Sequence, residues 1–394
     1  MKKTHQKIPQ VALLLESSHE VSRGMLRGIL KYVRLYGPWA LHIVSGGASD
    51  QKVPDLKSWR GSGIIARIPN AAAARDIVAA RLPTVIIDPS DDFLKPSHPL
   101  SRCCHVQCDS AAVANRAADF YLGTGFKNFA FVGVQTGINW SRWRQEAFVR
   151  RLDGAGFPCS VYPQPKAGEG EWETECKRMC HWLAKLPKPL AIFAANDTRG
   201  RQVINACLAA NIPVPYEVAV LGVNNDTLVC ETSLPPLSSV AVDIEQAGYA
   251  AAELLDQTMR KALTQRRCVT YEPFDVVVRA STELLPVNDR LVIRALEYIR
   301  INAGLNIRVS DVANHLSITR RWVEKRFEQT LSRSVMEEIH RVRMDTIRAL
   351  VSQTNQPFTQ IASRCGFTNA NHLGIIFKAR FGVTMSDYRR QSAR

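Results

Sequence analysis

Val309-Ser310-Asp311-Val312-Ala313-Asn314-His315-Leu316-Ser317-Ile318 is written a second time, 49 residues on, as Phe358-Thr359-Gln360-Ile361-Ala362-Ser363-Arg364-Cys365-Gly366-Phe367. Each copy reads as a short helix capped by a hydroxyl residue, with a small Ala where a second helix must cross closely. A tight turn follows at Ser317 or Gly366. The next helix carries Trp322, Val323 and Phe327 in one copy and Leu373, Ile376 and Phe377 in the other, positions expected to face inward. A helix-turn-helix written twice on a basic segment is the layout of a DNA reader. Between the copies, Ser334 with Glu337 reads as a capping box that opens a helix over 335–351. Its buried stripe is expected at Ile339, Val342, Ile347 and Leu350, and Gln356-Pro357 breaks the chain before the second copy. Such a helix would hold two readers about 34 Å apart, one turn of DNA.

The charge agrees with that reading. The 394 residues carry a net +15, and 288–394 alone hold 18 Lys and Arg against 9 Asp and Glu. About a quarter of the chain thus has more than half of the excess, as a segment that meets a polyanion should. The length predicts two or three domains, and 46% hydrophobic with 22% charged residues is globular composition. Lys2 and Lys3 precede an apolar run at 11–15, but Glu16 ends it too early for a signal-peptide core or a membrane span. A cytoplasmic protein with ten reduced cysteines is expected, with no membrane partner. Neither Cys103-Cys104-His105 with Cys108 nor Cys176 with Cys180-His181 has the paired spacing of a structural zinc site, so no metal and no cofactor are expected.

From Pro9 to about Arg279 the pattern changes. Near-continuous apolar runs at 11–15, 63–66, 84–87, 128–132, 190–194, 218–221 and 274–278 read as strands covered on both faces. Helical stretches at 21–35, 110–122, 141–152, 199–210 and 243–261 lie between them. The alternation predicts an α/β unit with parallel sheets and ligands at the carboxyl ends of the strands. Polar residues gather at those ends: Glu16-Ser17-Ser18, Asp88, Asn196-Asp197 and Asn224-Asn225-Asp226, with Trp140 and Arg144 opening the helix after 128–132. Carboxylates, amides, an Arg and an indole suit a sugar, whose hydroxyls donate and accept while its C–H face lies against an aromatic ring. Taken singly, each of these residues also serves as a helix cap or turn former. The alternative from another class is a carbohydrate-active enzyme with a basic accessory segment, with Asp88 and Asp197 as an acid/base pair. A sugar-transport binding protein is the third, and the N-terminus gives it no export signal. The sequence has no phosphate loop, dinucleotide fingerprint or nucleophile elbow.

Ala191-Ile192-Phe193-Ala194-Ala195-Asn196-Asp197, Val218-Ala219-Val220-Leu221-Gly222-Val223-Asn224-Asn225 and Leu234-Pro235-Pro236-Leu237-Ser238-Ser239-Val240 resemble the ligand domain of lactose-repressor-type regulators. The tail resembles the AraC family in Ile361-Ala362, Cys365-Gly366-Phe367, Phe377-Lys378, Phe381-Gly382 and Tyr388-Arg389. A periplasmic-binding-like sugar domain followed by an AraC-type reader is similar to regulators of the xylose-operon type over nearly the whole chain. The resemblance implies a two-lobed sugar domain at 1–284, a linker at 285–289 and an all-α domain with two helix-turn-helix motifs at 290–394, whose first helix is expected over 290–301. It implies a monosaccharide effector (xylose or another sugar), double-stranded DNA, RNA polymerase and a second copy of the chain as partners, and a role as activator.

Inducer contacts carried over from the family fall on Ser17, Asp88, Arg144, Asn196 and Asn224, beside Ser18 and Trp140. Asn224 stands where the family usually has Asp, and Val21 where an aromatic is common. On the tail, Thr319, Arg320, Arg321, Glu324 and Lys325 are the DNA candidates of the first copy, and Asn369, Asn371, His372 and Lys378 those of the second. Arg can fork onto guanine and Glu can accept from cytosine, so the first copy is expected to supply most specificity. Phosphate clamping is the plainer role for each Arg. The second copy offers Ala370, Asn371, Gly374 and Ile375 at base positions and is expected mainly to position the protein. Arg389 and Arg390 are expected on phosphates.

Overall fold

Residues 8–16, 19–43, 59–134, 138–163, 172–263, 265–283, 289–302 and 304–392 are described by a computed structural model. The chain divides into two compact units, Met1–Pro286 and Val287–Arg394.

Five strands come first in unit one: β1 (Gln10–Leu14), β2 (Ala40–Ile43), β3 (Gly63–Ala66), β4 (Thr84–Ile87) and β5 (Cys104–Cys108). Then follow β6 (Asn128–Val132), β7 (Cys159–Val161), β8 (Leu190–Ala194), β9 (Val218–Val223) and β10 (Ser238–Val242), and last β11 (Cys268–Tyr271) and β12 (Pro273–Val277). One six-stranded sheet runs β11-β5-β4-β3-β1-β2 and the other β12-β10-β9-β8-β6-β7. Every pairing is parallel except β12 on β10. The chain therefore crosses between the lobes more than once, and β11 and β12 are adjacent in sequence but lie in different sheets.

β3, β4 and β8 are buried along their whole length, which is why they read as unbroken apolar runs. The run at 274–278 was expected to be covered on both faces, and here the structure corrects the reading. β12 is an antiparallel edge strand, and Phe274 is 62% exposed. β5 and β10 escaped the pattern because they bury polar residues. Ser238 donates to the Arg279 carbonyl at 2.9 Å and Ser239 to Asp197 at 2.5 Å, so the strand is satisfied without being apolar. The helices Glu20–Tyr36 and Ile244–Met259 cross closely. A Cβ on Gly28 would stand 1.9 Å from the Glu245 carbonyl oxygen, and one on Gly248 would stand 2.0 Å from that of Met25.

Unit two has seven helices among the described residues: Arg290–Asn302, Val309–Leu316, Arg320–Leu331, Val335–Gln353, Phe358–Arg364, Ala370–Phe381 and Met385–Ser392. The long helix Val335–Gln353 opens with the expected box, Ser334 Oγ accepting from Glu337 N–H and the Glu337 carboxylate accepting from Ser334 N–H. Ile339 and Ile347 are fully buried, whereas Val342 and Leu350 are partly so. Val335, Met344 and Val351 complete the inner face. Hydroxyl residues do not cap the short helices. Arg308 and Pro357 hold the cap positions, and the Asp311 carboxylate accepts from the Arg308 N–H at 2.7 Å. The tight turns stand where expected, Ser317 at φ 57° and Gly366 at φ 76°.

The repeat changes register at that turn. Ala313 and Ala362 are 49 apart, but the next helix caps, Thr319 and Asn369, are 50 apart. The buried pairs Val323/Leu373 and Phe327/Phe377 and the left-handed ends Ser332/Gly382 keep the spacing of 50. The second copy thus has one extra residue in its turn, which sets Trp322 opposite His372. Trp322 is 41% exposed rather than inward, with the Arg326 guanidinium 4.9 Å over its ring.

Candidate effector site and nucleic-acid interface

Asp88 leaves the end of β4 in a left-handed conformation, φ 45°, its side chain only 8% exposed. Oδ1 accepts from the Cys108 N–H at 3.0 Å, Oδ2 accepts from the Tyr271 hydroxyl at 3.1 Å, and Arg67 Nη2 lies 3.8 Å away. Burial, with the Asp88 charge beside it, pushes the Tyr271 phenol well above its usual range and keeps it a donor. Arg144 comes from helix Asn139–Asp153 on the other lobe and is 4% exposed. Its Nη1 donates to the Ala195 carbonyl at 2.5 Å, and Nη2 reaches Cys108 Sγ at 3.5 Å. The half-buried Trp140 lies under the guanidinium, 5.0 Å from ring centroid to Cζ. Arg144 Nε is buried with no hydrogen-bond partner among the described residues.

Cys108 therefore touches both charged candidates, one from each lobe. Asn139, next to Trp140, ties the lobes again by donating to the Pro89 carbonyl at 2.7 Å. Asn196 follows Ala195 directly. Its Oδ1 caps helix Asp197–Ala209 through Arg199 N–H at 2.8 Å, so its amide protons are what it can offer a ligand. Asn224 ends β9 with φ 102°, a conformation that non-glycine residues hold only under strain. Asn225 beside it has a buried Oδ1 without a partner among the described residues. Ser17 and Ser18 lie outside the described residues.

Asp197 is engaged within its own lobe. It is 2% exposed, Oδ1 taken by Ser239 and Oδ2 by the Asp226 N–H at 2.7 Å, and burial pushes its carboxyl up to about 7. An acid/base pair with Asp88 has no free oxygen on this side. Arg67 and Tyr271 are not among the residues expected at the site, and Cys108 figures in the sequence only as a candidate zinc ligand. Arg67 directly follows β3, so the strand-end rule applied there would have found it. Tyr271 arrives from a strand far along the chain that carries no apolar run.

On the tail, Thr319 and Asn369 are helix caps. They accept from Trp322 N–H at 3.3 Å and His372 N–H at 2.7 Å, and both are exposed. Arg320 pairs with Glu324 at 2.9 Å along the first reading helix. Arg321 and Lys325 are exposed beside that pair, with no hydrogen bond or ion pair among the described residues. In the second copy Asn371, His372, Ile375 and Lys378 are exposed, over buried Leu373 and Phe377. Arg389 is a correction. It donates to the Val351 carbonyl at 3.0 Å and the Gln356 carbonyl at 2.8 Å, with Phe358 4.2 Å beneath it, so it ties helices together instead of waiting for a phosphate. Arg390 stays exposed and pairs with Asp387.

Among the described residues no helix is long and apolar enough to cross a membrane, and no His/Cys/Asp/Glu cluster could hold a metal. Residues 118–282 match the periplasmic binding protein-like domain, and residues 312–391 match the helix-turn-helix domain. The xylose operon regulatory protein of Escherichia coli (strain K12) is 26% identical over 383 residues, 96% of each chain. The protein of the same name from Haemophilus influenzae is 27% identical over 96% of this chain and 98% of its own. A solved structure of a xylose-binding transcription activator superposes with a TM-score of 0.85 at 26% identity, covering 98% of both chains. The rival enzyme reading has no support in this kinship. The chain is a sugar-responsive DNA-binding transcription regulator and not an enzyme, a periplasmic-binding-protein-like domain joined to an AraC-type helix-turn-helix domain, similar over nearly its whole length to xylose operon regulators.

Proposed function

We propose that the protein activates genes of pentose use when a xylose-like monosaccharide settles between the lobes of unit one. Asp88 and Arg144 hold its hydroxyls by charge-assisted bonds, Asn196 and Asn224 contribute amides, Trp140 covers the C–H face, and Ser17 and Ser18 belong to the same contact set. The observation that carries this reading is the buried Arg144, whose Nε has no partner among the described residues in a place where an unmade hydrogen bond is expensive. A ligand oxygen would complete it. Likeness over the whole chain to xylose operon regulators supports the choice of sugar class.

Unit two reads double-stranded DNA through both reading helices. Arg320, Arg321, Glu324 and Lys325 provide base contacts in the first copy, and Asn371, His372 and Lys378 meet bases or backbone in the second. Thr319 and Asn369 set the helix starts against phosphates. The protein works in the cytoplasm as a homodimer that engages RNA polymerase. Purified protein mixed with candidate sugars and a fragment of its own upstream DNA tests the reading. Sequence-specific DNA binding that shifts with a pentose supports it, and turnover of sugar without such binding overturns it.

A further inference from the structure

We propose that the second reading helix selects a thymine, with Ile375 packing on the base's C5-methyl group and Gly374 leaving the backbone bare so that the base edge comes close. This rests on the DNA-reading role of unit two and goes beyond it, since the second copy then carries sequence information of its own.

Ile375 is 70% exposed although it sits on a helix whose other face buries Leu373 and Phe377 completely. Asn371 and Lys378, one turn to either side, are exposed on the same face. The spacing of 50 sets Lys325 of the first copy opposite Ile375, Glu324 opposite Gly374 and Arg321 opposite Asn371. Where the first helix presents three charges, the second presents an amide, a bare backbone and a branched alkyl group. Thymine alone of the four bases shows a methyl group in the major groove, so an apolar reader there has one partner.

Gly374 is an independent observation. A glycine inside a helix is destabilising relative to alanine, and it persists where something else requires it. Internal packing does not. A Cβ there would meet only Met385 Cε, at an ordinary 3.7 Å. What remains is an approach from outside the domain, beside the exposed isoleucine.

The test uses the full-length chain and duplex sites that it selects from random DNA. Each thymine in a selected site is replaced in turn by deoxyuridine, which removes the methyl group and nothing else. At one position wild type should lose about fourfold in affinity, the effect of one buried methyl group. Ile375→Ala should bind thymine and deoxyuridine alike at that position. Gly374→Ala should hold or raise the melting temperature of the protein while weakening binding to selected sites more than to random DNA. Equal losses in wild type and Ile375→Ala, or no loss at any thymine, overturn the thymine contact. Unchanged selective binding by Gly374→Ala overturns the close approach. Failure to select any site removes the DNA-reading role itself, and this proposal with it.

Discussion

Arg144 and Asp88 show how two buried charges can be built in from opposite lobes with one residue, Cys108, between them, its backbone N–H on Asp88 and its sulfur against Arg144. If they grip the effector, Arg144→Ala and Asp88→Ala remove charge-assisted hydrogen bonds of about 1.5–3 kcal/mol each. Both should abolish the rise in melting temperature that xylose-like sugars produce. Asp88→Ala should also lower the sugar-free value, because Asp88 holds Tyr271 and the Cys108 amide as well. Full ligand stabilisation in both variants would place the pocket elsewhere. Asn224→Asp restores the carboxylate usual in the family and should change which monosaccharide gives the largest shift. Asp197 makes a prediction about pH. Its carboxyl is raised in the folded state to about 7 by burial, against about 3.9 in an unfolded chain. A raised folded value means stability that is fully present below pH 4 and is lost as pH climbs through 7. Measured between pH 5 and 8, the melting temperature of wild type should therefore fall relative to that of Asp197→Asn. Parallel curves would show that the group titrates normally.

At the scale of elements, legibility followed burial. β3, β4, β6 and β8 were read with their observed limits because side chains packed on both faces leave an unbroken apolar signature. β5, with His105 at 3% exposure, and β10, with Ser238 and Ser239 at 0%, were silent because their polar groups find partners only in the tertiary structure. The same limit applies to the site. Asp88, Arg144 and Asn196 could be named from their places after strands, while Tyr271 had no such marker in a strand the pattern missed. In the tail, the extra residue in the second copy's turn shifts the alignment by one, so that the exposed Trp322 matches the exposed His372 and not the buried Leu373. Two arginines there can be separated by experiment. Arg389→Ala removes bonds to the Val351 and Gln356 carbonyls and should destabilise unit two by about 1–3 kcal/mol, seen as a lower melting temperature. Arg390→Ala, exposed beside Asp387, should leave stability unchanged and weaken binding equally on every DNA sequence. Arg321→Ala should instead cost about 1–3 kcal/mol of binding and relax the preference at one or two base pairs. A uniform loss in that variant would make Arg321 a phosphate contact.

The whole molecule joins two compact units of unlike design, and each brings its own interior. The long helix Val335–Gln353 contacts Arg320–Leu331 of the first copy and Phe358–Arg364 of the second, and its Ile347 and Val351 share one core with Leu373 and Phe377. One helix thus belongs to both readers, so they should fold together and keep their spacing without unit one. A fragment of residues 287–394 should be folded, with a cooperative thermal transition, and should prefer the same DNA sites as the full chain. It holds most of the excess positive charge, so its affinity should fall with added salt about as steeply as that of the full-length protein. Its binding should ignore xylose and every other sugar, because Asp88, Arg144, Asn196 and Asn224 all belong to unit one. Gel-shift titrations of fragment and full chain on one selected site, with and without sugar, decide the matter. A fragment that still responds to sugar would put the effector contact in the helical unit, against the site built here around Arg144. One that unfolds alone would mean that the shared helix needs unit one to hold it.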